Sequence, residues 1–287
     1  MKTMEVSVVI PAYNEEGSLR SFLPRVISWV GGQGEVIVVD DASTDGTYAL
    51  AKELGARVIK NPYNMGNGAA VKRGIRQAKS DIIVLMDADG QHRPEDLPRL
   101  VEEMSGCDMV IGARRASSQA FWRKLANAVY NMLASYVSGM KIEDLTSGYR
   151  AIRRDKAKKF LYLLPNTFSY PTTLTLSFIK AAYPIKFVPV KVLSRRSGRS
   201  KINLISDGLR FLVIIMRVAV FFSPLKVFLP VSGVFFLTGM AYYWHTFVSY
   251  HRFTNMSALL FTTAVIIFVL GLISEQIVSL RMDKTDE

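Results

Sequence analysis

Cysteine is all but missing from this chain. Cys107 stands alone among 287 residues, which excludes an intramolecular disulfide and suits a reducing compartment. Acidic residues disappear between Lys156 and Lys201, where ten Lys or Arg face no Asp or Glu in a chain of formal net charge +12. Charge of either sign is then absent from residues 227–248 and 256–274, runs of 22 and 19. A bilayer crossing needs about 20 apolar residues, and the core helices of soluble proteins rarely keep such runs. A cleavable leader is not expected either: residues 5–10 already read as a strand, with no apolar stretch before a small-residue cleavage site.

What remains before those runs alternates between strand and helix. Short β-branched segments at 6–10, 36–39, 57–59, 82–86 and 109–111 are separated by helical patterns at 17–29, 47–54, 67–78 and 94–104. A longer helical stretch covers 118–137, and strands return at 149–152 and 185–192. Repeated strand–helix units predict an α/β domain, an open and mostly parallel sheet with helices on both faces. In such sheets ligands bind at the carboxyl ends of the strands. This domain is assigned residues 1–201.

From residue 202 the pattern changes. Asp207, Arg210 and Arg217 form one polar stripe on a helix whose remainder carries Leu209, Phe211, Leu212, Ile215, Val218 and Phe222. That pattern predicts an amphipathic helix in the bilayer interface over 202–224. Residues 225–280 read as a transmembrane hairpin, with Tyr242, Tyr243 and Trp244 as an interfacial aromatic belt, followed by a tail at 281–287. The turn at 249–255 carries only Arg252 and His251, whereas Lys226 and the upstream basic cluster lie at one end and Arg281 and Lys284 at the other. The positive-inside rule then places both termini and the α/β domain in the cytoplasm, on the inner membrane. The basic surplus running into this region favours anionic lipid and phosphorylated ligands over nucleic acid. Small residues Gly233, Gly239 and Ala241 permit close helix packing, within the chain or in a homo-oligomer.

The sharpest chemical signal is Asp87-Ala88-Asp89-Gly90-Gln91 at the end of a fully apolar strand. Carboxylates at i and i+2 present hard oxygens to Mg²⁺ or Mn²⁺, and Gln91 offers a neutral third ligand. A cation so held would neutralise the charge that develops on a departing diphosphate. The first strand ends in Pro11-Ala12-Tyr13-Asn14-Glu15 and the second in Asp40-Asp41-Ala42-Ser43-Thr44-Asp45-Gly46-Thr47. Tyr13 suits stacking on a base, and Asp41 suits accepting the ring N–H of uracil or guanine. Asp45 and Thr47 read as turn and helix-cap residues.

Taken in order, Pro11-x-Tyr13-Asn14-Glu15, Val39-Asp40-Asp41-x-Ser43-x-Asp45, Asn64-x-Gly66-x-Gly68 and Asp87-x-Asp89-x-Gln91-His92 closely resemble the inverting family 2 glycosyltransferases. Gly112-x-Arg114, Trp122-Arg123-Lys124-Leu125, Thr146-Ser147-Gly148-Tyr149-Arg150 and Gly198-x-Ser200-Lys201 look like the dolichyl-phosphate mannose synthase and polyprenyl-phosphate branch. The resemblance covers roughly the first 200 residues and implies a GT-A-like fold and a UDP- or GDP-linked sugar donor. It further implies that Pro11, Tyr13, Glu15, Val39, Asp41, Asp87 and Ala88 hold the nucleotide sugar, and that Asp87, Asp89 and Gln91 hold the metal. Arg114 and Arg123 would meet the acceptor phosphate beside Lys201 and one of Arg195 and Arg196, with Asp89, Arg114 and Arg123 forming the catalytic set.

A phosphate acceptor agrees with the charge distribution. With a second pKa near 6 it is already an anionic nucleophile at neutral pH, so the site needs cations to align it more than a general base. For a hydroxyl acceptor the candidate bases are Glu143 and Asp144. A processive polymer synthase would carry Gln-x-x-Arg-Trp, and none of Trp29, Trp122 and Trp244 follows an Arg. Gly66-Asn67-Gly68 approximates a dinucleotide fingerprint but follows the third strand, where that fingerprint follows the first. A membrane-tethered sugar-nucleotide sensor would have no need to retain every metal and phosphate residue.

Overall fold

The computed structural model describes residues 5–114, 121–166, 169–193 and 220–283. The interfacial helix expected at 202–224 therefore falls almost wholly outside the described residues, as do Arg195, Arg196 and Lys201. Two compact units are distinguished, one formed by 1–132 with 141–203 and the other by 133–140 with 204–287.

The first unit is built on a seven-stranded sheet: β1 (Val6–Ala12), β2 (Gly34–Asp40), β3 (Arg57–Lys60), β4 (Ile82–Leu85), β5 (Met109–Arg114), β6 (Arg150–Arg153) and β7 (Ile185–Val190), in the order β3-β2-β1-β4-β6-β5-β7. Pairing is parallel throughout except at β6, which runs antiparallel to both β4 and β5. All seven strands stand where the sequence puts them. The central ones are buried along their whole length, as β4 shows, because helices cover both faces.

Those helices are α1 (Glu16–Val30), α2 (Thr47–Glu53), α3 (Asn67–Gln77), α4 (Leu97–Glu102), α5 (Phe121–Ser138), α6 (Arg154–Lys159) and α7 (Tyr170–Lys180). Helix α1 contains Pro24, which removes a backbone bond at a cost of about 3 kcal/mol. Full burial of Leu19, Phe22, Leu23 and Val26 against Val8 and Ile10 outweighs it, at about 1.5–3 kcal/mol per side chain. On the opposite face α3 approaches β1 so closely that a Cβ on Gly74 would lie 2.2 Å from Val9 Cγ1. Helices α6 and α7 are not foreseen in the sequence. In α7 every residue from Tyr170 to Phe178 is buried, so no polar stripe marks its period.

The second unit contains two apolar helices, Pro224–Tyr250 and Asn255–Asp283, both long and apolar enough to cross a membrane. Only 11% and 17% of their most apolar windows is buried, unlike the core helices of a soluble protein. The first ends at His251 in the left-handed region (φ 49°), and the second opens with the Ser257 amide donating to Thr254 Oγ1 at 3.3 Å. Small residues close the hairpin. A Cβ on Gly271 would meet Phe228 Cβ at 2.7 Å, and Ser232 Oγ donates to the Ala264 carbonyl at 2.9 Å. Gly239 also faces its partner helix, whereas Gly233 has nothing within 4 Å.

Gly74→Ala separates packing from helix propensity. Alanine is favoured in a helix interior by about 1 kcal/mol, yet overpacking at this contact costs about 1–3 kcal/mol. Thermal unfolding of the detergent-solubilised protein is expected to show a lower Tm. A raised Tm would mean that α3 has room to move.

Candidate active site

The parallel register brings four strand ends to one edge of the sheet. Pro11 pairs with Val39 and Ala12 with Asp40, so β1 and β2 finish level. The Met86 amide donates to the Val9 carbonyl at 3.1 Å, which sets Asp87 just beyond β4 on that edge. Strand β5 runs in the same direction and ends in Arg114, while the reversed β6 delivers residues 147–149 to the same side.

Polar contacts staple the β1–α1 and β2–α2 loops together. Asn14 adopts a left-handed conformation (φ 54°), its amide donating to Ser43 Oγ and its Oδ1 accepting from the Thr44 amide at 2.8 Å. The Glu15 amide donates to Thr47 Oγ1 at 2.9 Å, and Asp45 accepts from the Thr47 amide and hydroxyl. Asp45 and Thr47 are thus structural, but the N-cap of α2 is Gly46 and Thr47 is its first residue. Tyr13, 45% exposed, remains available beside these loops, while Pro11 and Val39 are buried beneath them.

Asp41 is buried, and its carboxylate gathers the loop after β3. Oδ1 accepts from Asn61 Nδ2 at 2.6 Å and the Met65 amide at 2.9 Å, and Oδ2 from the Gly66 amide at 2.8 Å. Three of about four acceptor positions are therefore used within the protein. The Gly-rich turn at 66–68, which approximates a dinucleotide fingerprint, is anchored here to a carboxylate.

Asp87 and Asp89 are partly exposed, with Ala88 buried between them. Asp87 Oδ2 lies 3.3 Å from His92 Nε2, and its carboxylate packs on the backbone of Gly148, where a Cβ would stand 2.3 Å from Oδ2. Burial pushes the Asp87 carboxyl up, but the His92 hydrogen bond and the pull of His92, Arg150 and Arg114 outweigh it and hold the group below the usual range. Asp89 Oδ1 accepts from the Gln91 amide at 3.0 Å. The Gln91 side chain reaches the Leu193 carbonyl at 3.4 Å. Among the described residues no group of three His, Cys, Asp or Glu converges as a metal site. Asp87, Asp89 and the neutral Gln91 amide are a hard-oxygen set of the kind that would fit Mg²⁺ or Mn²⁺ sharing a ligand's phosphates.

Two guanidinium groups sit behind the pair. Arg114 is held bidentately by Asp144, Nε to Oδ2 at 2.7 Å and Nη2 to Oδ1 at 2.8 Å, and also meets Thr146 Oγ1. Burial pushes the Asp144 carboxyl up, but the Arg114 hydrogen bonds and charge hold it low, which makes it a poor general base. Glu143, the other candidate base, is exposed. Arg150 is fully buried; it donates to the carbonyls of Pro171 and Ser147 and to Thr175 Oγ1, and burial lowers its pKa to about 10. Arg123 lies on α5, with its side chain outside the described set. His92 and Arg150 stand in sequence motifs and Asp144 is a candidate base, but their partners Asp87, Pro171, Thr175 and Arg114 lie 5 to 30 residues away, so the sequence does not show what these side chains touch.

The Arg114–Asp144 pair has a signed pH dependence. A carboxyl held low in the folded state contributes stability above the ordinary Asp pKa of about 4 and loses it as pH falls through the folded value. Asp144→Asn is expected to lower Tm at pH 7. Breaking a buried pair costs up to about 3–5 kcal/mol, less here because Arg114 is 25% exposed. Thermal melts from pH 7 to 3 should show the two proteins converging below about pH 4. A gap that stays constant with pH would deny the pair this role.

Comparison with known proteins bears on the family and the fold. Residues 7–161 match the Glycosyl transferase family 2 model and residues 223–280 the GtrB C-terminal hairpin. The chain is 33% identical over 215 residues to an undecaprenyl-phosphate mannosyltransferase of Micrococcus luteus, covering 70% of this chain and 88% of that one. It is 35% identical over 214 residues to an undecaprenyl-phosphate 4-deoxy-4-formamido-L-arabinose transferase of Edwardsiella ictaluri, covering 71% of this chain and 65% of that longer one. Among solved structures, glucosyl-3-phosphoglycerate synthase from Mycobacterium tuberculosis, in complex with Mn²⁺, uridine-diphosphate and phosphoglyceric acid, superimposes with a TM-score of 0.60. That match, at 24% identity, covers 75% of this chain and 77% of the other and establishes a shared fold. With a GT-A-like sheet, carboxylates at its strand edge and a two-helix apolar hairpin, the chain belongs to glycosyl transferase family 2 and is a glycosyltransferase related to polyprenyl-phosphate sugar transferases.

Proposed function

We propose that this protein transfers a monosaccharide from a UDP- or GDP-linked donor to a polyprenyl phosphate, inverting the anomeric carbon in a single displacement. The observation that carries the reading is the Asp87–Asp89 pair set beside Arg114 on the carboxyl edge of the sheet. Relatives named for the same acceptor chemistry support it.

In this reading Pro11, Tyr13, Glu15, Val39 and Asp41 receive the nucleoside, with Tyr13 against the base and Asp41 spending its remaining acceptor position on a ring N–H. Asp87, Asp89 and Gln91 hold Mg²⁺ or Mn²⁺ together with the donor diphosphate, and Ala88 lines the approach. The cation, when bound, supplies charge neutralisation to the leaving diphosphate. Arg114 is prealigned by Asp144, so its charge meets an anion with little reorganisation. Arg123, Lys201 and one of Arg195 and Arg196 complete a cationic seat for the acceptor phosphate. That phosphate is itself the nucleophile and gives up no proton in the step, so the low-lying Asp144 carboxyl is not needed as a base.

We assign residues 1–201 to a cytoplasmic catalytic domain, 202–224 to an interfacial helix, 225–280 to two spans of the inner membrane and 281–287 to a cytoplasmic tail. The apolar hairpin supports this partition, since an isoprenoid acceptor is confined to the bilayer.

Purified protein assayed with a panel of UDP- and GDP-sugars, Mn²⁺ or Mg²⁺, and undecaprenyl or dolichyl phosphate should yield a chloroform-extractable sugar lipid. Failure across all donors would favour a non-catalytic sensor. Asp89→Ala should reduce product formation by at least about 100-fold with Tm preserved, and near-normal rates at saturating metal would remove Asp89 from the metal site. Gly148→Ala puts a methyl group into the Asp87 carboxylate and should cost at least about tenfold in kcat/KM. A variant as active as the parent would show that Asp87 need not hold this position.

A further inference from the structure

His92 is a residue to which the proposed mechanism gives no task. It is 6% exposed, and its ring stacks on Tyr149 with centroids 4.7 Å apart and planes 28° from parallel. Tyr149 is itself fully buried and fixed by a hydrogen bond from its hydroxyl to the Arg93 carbonyl at 3.0 Å. The ring is held from the backbone side as well, because His92 bridges to Val192. Nδ1 is buried without a hydrogen-bond partner among the described residues, so the imidazole directs its one polar contact through Nε2 to Asp87 Oδ2 at 3.3 Å. Two constraints meet on this carboxylate: the Gly148 backbone, which admits no Cβ, and the His92 ring. A core histidine kept only for packing has no need to aim a ring nitrogen at a carboxylate.

We propose that His92 is a positioning residue that fixes the carboxylate of Asp87 for cation binding, with Tyr149 as the wall that keeps the imidazole from rotating away. The inference rests on the reading of Asp87 as a metal ligand given above. With the Asp87 carboxylate ionised, the imidazole places its proton on Nε2 and donates. Such outer partners orient a ligand without touching the metal, and their loss typically costs about 10–100-fold in metal affinity or activity.

Two substitutions divide the possible roles. His92→Phe keeps the stacked ring and its volume but removes the donor. His92→Gln loses the ring but restores an N–H at similar reach. Mn²⁺ binding is followed by electron paramagnetic resonance on the full-length protein in detergent, with and without UDP, alongside Tm, kcat and donor KM. His92→Phe is expected to weaken Mn²⁺ binding by about tenfold or more and to lower kcat, with Tm close to the parent. His92→Gln should stay within about threefold of the parent in Mn²⁺ affinity.

Parent-like Mn²⁺ binding in His92→Phe would overturn the proposal, as would equal losses in both variants that track Tm, the signature of a packing role. Asp87→Asn is the control for the underlying reading. If it leaves Mn²⁺ binding intact, the metal assignment fails; if it abolishes binding while His92→Phe does not, only the role of His92 fails.

Discussion

A carboxylate packed against bare backbone is the constraint on which the proposed site depends. Asp87 stands just past the end of β4, and its oxygens occupy the space that a side chain on Gly148 would need. This contact requires β6 to run against its neighbours, because only a reversed strand brings its amino-terminal turn to the edge where β1, β2, β4 and β5 end. One antiparallel strand in a parallel sheet is therefore what lets the turn before β6 wall the Asp87 pocket. The Ser147 hydroxyl donates to the Gly112 carbonyl at 2.7 Å and so joins the turn to β5, the strand that carries Arg114.

The charges around this contact are arranged before any ligand arrives. Asp87 is drawn toward its ionised form by His92, Arg150 and Arg114, and Arg114 is locked to Asp144 through two hydrogen bonds. Arg150 has no carboxylate within ion-pair distance among the described residues; its Nη groups donate to carbonyl and hydroxyl oxygens, while its buried Nε has no hydrogen-bond partner among those residues. The guanidinium charges of Arg150 and Arg114 thus act on Asp87 at longer range, alongside the carboxylates of Asp144 and Asp89. Charges fixed in place in this way need little reorganisation when charge moves nearby.

The hairpin obeys different physics. In hydrocarbon there is no hydrophobic gain from pairing apolar helices, so close approach and backbone-directed hydrogen bonds hold them. Gly271 beneath Phe228, Gly239 beneath Phe261 and the Ser232 hydroxyl on the Ala264 carbonyl are contacts of that kind. The outward face, with Leu237 and Trp244 more than half exposed, has no packing to satisfy and suits lipid.

The linear pattern alone determined the number and place of the strands, the sheet edge on which the motif residues fall, the two apolar helices and the aspartate pair. Each depends on periodicity or on neighbours a few positions apart, which a chain displays without folding. Helix α7 stayed hidden because burial on every side erases the polar stripe that marks a helix. The three bonds that Asp41 accepts from Asn61, Met65 and Gly66, the tie of Asp144 to Arg114 and the packing of Asp87 on Gly148 belong to the tertiary structure. They join residues that are distant in sequence, and sterics and hydrogen-bond geometry choose among such pairs only once the strands have taken their order.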